Sequence, residues 1–204
     1  MPSTISETGR IAKITSYVLH PYVIFIPVII LLAIRFGPEA WVKWSIIALL
    51  PAYFAPLLYM QVRVAMATRT YGTRITQRAL FREQPREMFF LVCLFSLPSS
   101  LILYSFNAPL SIIATLVGLG STALLITFIN LRYRASFHLS LFTSVVTSVV
   151  ILFGLPALVA AAFIPLLGIS RYQLGEHTPL QLVTGFIVGL VITAVVFQGM
   201  NLIY

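Results

Sequence analysis

Two histidines and an arginine stand where a membrane protein could handle phosphate. His138 closes the stretch Arg132-Tyr133-Arg134-Ala135-Ser136-Phe137-His138, and His177 closes Ser170-Arg171-Tyr172-Gln173-Leu174-Gly175-Glu176-His177; each leads into an apolar run. Ser136 suits the N-cap of the first run, and Thr178 with Pro179 suits the N-cap and first turn of the second. Helix N-termini offer unbonded N–H groups and the positive end of a dipole, and a guanidinium matches phosphoryl oxygens with two parallel hydrogen bonds. Imidazole supplies a nucleophile or a proton carrier near neutral pH. If the two termini meet on one membrane face, His138, His177, Arg171, Arg132 and Arg134 form a phosphate site. The same residues have a second reading, in which the arginines only set topology, the histidines sit at the interface and the caps are only caps. His20, just before Pro21 in the first apolar run, reads as a packing or interfacial residue.

The elements that carry these residues must be membrane helices. Apolar side chains make up 59% of the 204 residues and charged ones 9%, against roughly 25% charged in soluble domains. A bilayer core about 30 Å thick takes around 20 apolar residues per helix, and such runs fall at 14–34, 41–61, 87–106, 109–129, 138–153, 155–169 and 179–203. The expected fold is an all-α, polytopic transmembrane helix bundle of six to seven spans, with residues 1–204 forming a single membrane domain. The count depends on Gly154 and Pro156, which mark either a turn between two helices or a kink in one. The first run is longer than a signal-peptide core and is read as a retained span. Gly185 and Gly189 give the last run a small-xxx-small face for close helix packing.

With seven spans, Arg10, Lys13, Arg63, Arg69, Arg74, Arg78, Arg82, Arg86, Arg132, Arg134 and Arg171 share one face, leaving only Arg35 and Lys43 of the 13 basic residues on the other. The positive-inside rule then puts the N-terminus and basic loops in the cytoplasm, most simply of a cell-membrane protein. The net charge of +8 is spread over breaks between spans and forms no solvated basic domain, so nucleic acid is not an expected partner. The partner expected is a membrane lipid, with room for a homo-oligomer. A lone Cys93 permits neither an intrachain disulfide nor a thiolate metal cluster.

Ser170-Arg171, a gap of five residues and His177 resemble the third signature motif of the type 2 phosphatidic acid phosphatase superfamily. Ala135-Ser136-Phe137-His138 looks like a degenerate form of its Pro-Ser-Gly-His second motif, and Thr178-Pro179-Leu180-Gln181-Leu182-Val183-Thr184-Gly185 with Gly189 resembles the start of its last helix. The resemblance covers the C-terminal third; the remainder is similar only as a helix bundle. It implies hydrolysis of a phosphate ester or diphosphate without metal or other cofactor. His177 would attack phosphorus and form a phosphohistidine, and His138 would protonate the leaving group. Arg171 would hold the phosphoryl oxygens, with Ser136 and Ser170 adding contacts to substrate.

Four positions depart from the pattern. The superfamily's Asp four residues after the nucleophile is Gln181 here, and the chain contains no aspartate. An amide can orient the ring but adds no charge, and in the serine-hydrolase template losing that carboxylate costs about 10⁴ in rate. Thr178-x-x-Gln181 equally has the form of a capping box. Ala135 and Phe137 replace Pro and Gly in the second motif. The Lys of the first motif has no counterpart, although Arg74, Arg78 and Arg82, four apart, would line one helical face and could bind phosphate in its place. The expected activity is that of a lipid phosphatase acting on a phosphatidate-type or polyprenyl phosphate. The alternative is a weak or silent relative that binds anionic lipid without turnover. A transporter would carry charge inside its spans, and almost none is present.

Overall fold

The computed structural model describes residues 7–72 and 85–203, and every regular element among them is helical. In chain order these are α1 (Glu7–Val18), α2 (Pro21–Phe36), α3 (Trp41–Leu49), α4 (Ala55–Tyr71), α5 (Pro85–Ser105), α6 (Leu110–Ile129), α7 (Phe137–Phe153), α8 (Phe163–Gln173) and α9 (Pro179–Gly199). A π-helical stretch, Leu50–Phe54, joins α3 to α4, and a 3₁₀ stretch, Leu155–Ala162, leads into α8. Five helical segments among the described residues are long and apolar enough to cross a membrane: Gly9–Phe36, Pro38–Thr70, Leu110–Ile129, Leu155–Gln173 and Pro179–Gly199. Phe90–Ser105 and Phe137–Phe153 are shorter apolar helices. The chain is an all-α helical bundle and an integral membrane protein.

The first span departs from expectation, and the choice left open at Gly154 falls to the turn, each for an identifiable reason. The first span is broken: Pro21 has no N–H to donate, His20 adopts an extended backbone (φ −63°, ψ 132°), and its side chain caps α2. The segments on either side of Gly154 are two helices folded back on each other. Gly154 takes φ +70°, open to glycine without strain, and Arg171 touches His138, 33 residues away. In one continuous helix those residues would stand roughly 50 Å apart.

The central element is α6, whose Ile112, Leu116 and Ile126 are fully buried against Ile29 and Leu32 of α2 and Leu103 of α5. On outward faces Leu31, Leu58, Leu101, Leu155 and Val195 are exposed, as a hydrocarbon solvent permits and water does not. Between helices the core is rich in small hydroxyl residues, several of which return their proton to a carbonyl in their own helix, as Thr115 does to Ser111 O at 2.8 Å. Thr193 of α9 instead donates to Ser144 of α7 at 2.8 Å.

The contact between α7 and α9 sets the position of the site. A Cβ on Gly185 would meet Ser136 O at 2.5 Å, and one on Gly189 would meet Thr143 Cβ at 2.9 Å and Ser140 O closer still, so only glycine lets the two backbones approach. The far end of α7 is aromatic: Phe36 packs on Phe153 at 5.9 Å, and Lys43 Nζ lies 4.4 Å from the Trp44 ring and 5.6 Å from that of Phe106. Arg35 and Lys43 thus gather at this end, roughly 22 Å along α7 from His138.

Candidate functional site

The site forms where three helix ends meet, and local rules account for each. Ser136 accepts from Leu139 N at 3.5 Å and so caps α7, leaving His138 in the first turn. Thr178 caps α9 by accepting from Gln181 N at 3.4 Å, while Gln181 Oε1 accepts from Thr178 N at 3.0 Å, closing a reciprocal capping box with Pro179 at the first helical position. Between α8 and α9 the chain turns at Gly175, in the left-handed region at φ +68°. Gly175 N donates to Tyr172 O at 2.9 Å and Glu176 N to Arg171 O at 3.1 Å. This Schellman turn satisfies the last carbonyls of α8 and swings His177 back beside Arg171. Ser136 N then donates to Gln181 O at 3.1 Å, tying the start of α7 to the start of α9.

Arg171 is the hub. Its side chain is 12% exposed; Nη1 donates to Ser16 Oγ of α1 at 3.1 Å, Nη2 ion-pairs with Glu176 and lies 3.3 Å from His138 Nδ1, and Nε has no partner. His138 Nε2 in turn lies 2.9 Å from His20 Nε2, with the two rings edge to face at 4.7 Å. His177 Nδ1 is 3.3 Å from Gln181 Oε1. That oxygen already accepts from the Thr178 amide, which fixes it as the carbonyl end of the side chain, so His177 Nδ1 carries the proton and donates. The lone pair of His177 is left on Nε2. One atom of Gln181 therefore serves both the capping and the ring-orienting readings.

The remaining expected residues divide. The Ser170 hydroxyl is buried and donates to Leu166 O at 2.9 Å within α8, so its proton is spent on its own helix. Arg132 and Arg134 are exposed on the connection between α6 and α7, and the charge of Arg134 reaches His177. Arg74, Arg78 and Arg82 lie outside the described residues. Two participants, His20 and Ser16, were not expected. The signal for His20 was present, since His20-Pro21 repeats the cap-then-proline order of Thr178-Pro179.

Beside this polar cluster an apolar cleft of about 490 Å³ opens between α8 and α9, within the ~300–1,000 Å³ of small-molecule sites. Leu139, Ile164, Gly168, Leu182 and Phe186 line it, and its Tyr172 and Pro179 end borders the turn that carries His177.

Partial burial, then the positive charge of Arg171, holds the His177 imidazole below its ordinary value of 6.5; Arg134 adds to this, while the Gln181 bond and Glu176 oppose it. His177 therefore stays neutral, with its Nε2 lone pair free, below pH 6.5. The unfolded chain takes up this proton first as pH falls below that value, so His177 contributes a loss of stability on the acid side and nothing above it. Gln181→Glu keeps the capping oxygen and adds a negative charge at His177 Nδ1–H. It is expected to move the acid limb of any His177-dependent rate to higher pH, by about one unit, as a pH series from 4.5 to 8 would read; an unmoved limb would disconnect Gln181 from His177.

No protein-family model, curated protein or solved structure matches the chain.

Proposed function

We propose that this protein is a membrane-embedded phosphatase acting on the phosphate monoester or diphosphate of an amphipathic lipid. The observation that carries the reading is the contact of His138 with Arg171, within electrostatic reach of His177, beside an apolar cleft lined by their chain neighbours Leu139, Tyr172 and Pro179. The likeness to the third phosphatidic acid phosphatase motif falls on Arg171 and His177. In this reading the His177 Nε2 lone pair forms a bond to phosphorus as the bond from phosphorus to the leaving oxygen breaks. That oxygen takes a proton from His138 in its imidazolium form, and Arg171 binds the equatorial oxygens as their charge grows. Water, losing its proton to His138, then attacks phosphorus, and the N–P bond returns its pair to His177. The cleft between α8 and α9 holds the apolar tail. The basic connections, on the cytoplasmic side by their arginine content, draw the anionic head.

The test is phosphate release by purified, detergent-solubilised protein from phosphatidate, phosphatidylglycerophosphate and prenyl diphosphates, beside a short water-soluble phosphate ester. A Cβ on Gly168 would meet only Leu139 Cδ2, at 3.8 Å, so Gly168→Phe can fill the cleft without reaching the polar cluster. It is expected to lower kcat/KM about tenfold or more for long-chain substrates, equivalent to about 1.4 kcal/mol or more, and to spare the short ester. Equal loss on both would remove the tail from the cleft.

One observation favours a second reading, a silent binder of anionic lipid. His20 takes Nε2 of His138 and Glu176 occupies Arg171, so a ligand oxygen must displace the carboxylate before chemistry begins. Retained binding of phosphatidate vesicles with no release from any substrate would establish it.

A further inference from the structure

Four groups form a row in which the protons do not balance. Tyr22 N–H points at His20 Nδ1 at 3.3 Å, His20 Nε2 faces His138 Nε2 at 2.9 Å, and His138 Nδ1 faces Arg171 Nη2 at 3.3 Å. Both ends of the row are donors: an amide N–H, and a guanidinium that does not deprotonate. Two neutral imidazoles own two N–H groups and two lone pairs, and the central contact consumes one of each. One N–H and one lone pair remain to meet two donors. At one end of the row, therefore, N–H faces N–H. Charging either ring adds a proton and deepens the mismatch.

Rigidity decides which end. Tyr22 N belongs to the first turn of α2, where no carbonyl of its own helix can reach it and Pro21 offers no alternative. It cannot move away from the acceptor that His20 provides. Arg171 hangs on a flexible side chain and already has Ser16 and Glu176 as partners. The cap is kept, His20 carries its proton on Nε2 and donates it to His138 Nε2, and His138 carries its own on Nδ1. Two N–H groups, from His138 Nδ1 and Arg171 Nη2, then converge without an acceptor.

We infer that His20 is a positioning residue of the phosphate site: bonded to Tyr22 N–H and to His138, it holds His138 in the tautomer that presents Nδ1–H beside Arg171 to a ligand oxygen. The effect on turnover rests on the phosphatase reading of this site; the tautomer does not. An oxygen entering between the two groups accepts from both and removes the mismatch. On a leaving group, that oxygen would accept from Nδ1–H, the nitrogen through which His138, once charged beside a bound anion, passes its proton.

Asparagine and glutamine separate the two bonds of His20. The oxygen of His20→Asn lies where imidazole Nδ1 lies and is a good helix N-cap, but its amide falls short of His138. The amide of His20→Gln reaches where Nε2 lies and can donate to or accept from His138, but it keeps no bond to Tyr22 N. Long-range proton–nitrogen NMR of protein labelled with ¹⁵N-histidine reads the tautomer directly. Wild type is expected to show His138 protonated at Nδ1. His20→Asn should shift it to Nε2, because Nδ1 is then free to accept from Arg171, and so should His20→Gln, whose amide, released from Tyr22 N, can turn its oxygen to accept from His138 Nε2. Phosphate release should fall about 10²-fold in both variants, with unchanged thermal unfolding showing that His20→Asn, which keeps the cap, folds. His138 protonated at Nε2 in wild type, or a tautomer unmoved by His20→Asn, would overturn the inference. Wild type without phosphate release on any substrate would overturn the phosphatase reading and leave the tautomer result to decide the role of His20.

Discussion

Replacing His177 by alanine is expected to remove phosphate release to the limit of detection, a loss on the order of 10⁴-fold or more. Losses of that size follow removal of a nucleophile from a set of groups acting as a unit. His177→Asn should do no better, since an amide keeps polarity and hydrogen bonding but has no lone pair able to attack phosphorus. The fold should be indifferent to both changes: His177 is only partly buried, and the capping box of Thr178 and Gln181 holds the start of α9 without it. Rapid acid-free quenching of a reaction with ³²P-labelled substrate should trap label on the wild-type chain and none on either variant. Release within tenfold of wild type would place the chemistry at another residue. Labelled protein in His177→Ala would place the covalent step there too.

What was legible in the chain was whatever is decided locally. Runs of about 20 apolar residues report a helix wherever hydrocarbon is the solvent, because every backbone group must find its partner inside the segment. Ser136 and Thr178-Pro179-x-Gln181 announced helix starts because an N-cap is satisfied within four residues, and Gly185 and Gly189 marked a close helix contact. The phosphate-site expectation drew on such signals, and the structure does bring the starts of α7 and α9 together through Ser136 N and Gln181 O.

What was illegible was decided across the bundle. His20 and His138 are 118 residues apart, and no spacing rule joins an α1–α2 break to the first turn of α7. The break was the part that could have been read, since a histidine before proline can cap as Thr178 does; its partner could not. Ser170 shows the converse error, a motif position whose hydroxyl is turned to Leu166 O by the ordinary back-bonding of serine in a helix. The cleft between α8 and α9 is likewise a property of how two apolar helices diverge, and Leu139, Gly168 and Phe186 look no different in sequence from their neighbours.

Arg171→Ala should lower kcat/KM for phosphate release about 10²- to 10³-fold, the range for removing a donor aimed at charge that develops in the transition state. Its effect should differ from that of His177→Ala in kind. Arg171 holds Ser16 of α1 and Glu176 of the turn at once, so its loss should also lower the unfolding temperature and loosen α1 from α8. Arg171→Lys keeps the charge but reaches with a single ammonium instead of a fork, and should regain no more than about tenfold of the lost rate. Binding separates the two functional readings. In a phosphatase, His177→Ala keeps affinity for phosphatidate vesicles and loses turnover, while Arg171→Ala loses both. In a silent lipid-binding relative, only Arg171→Ala has an effect, and it is on affinity. Arg171→Ala with release within threefold of wild type would mean that phosphate is held elsewhere.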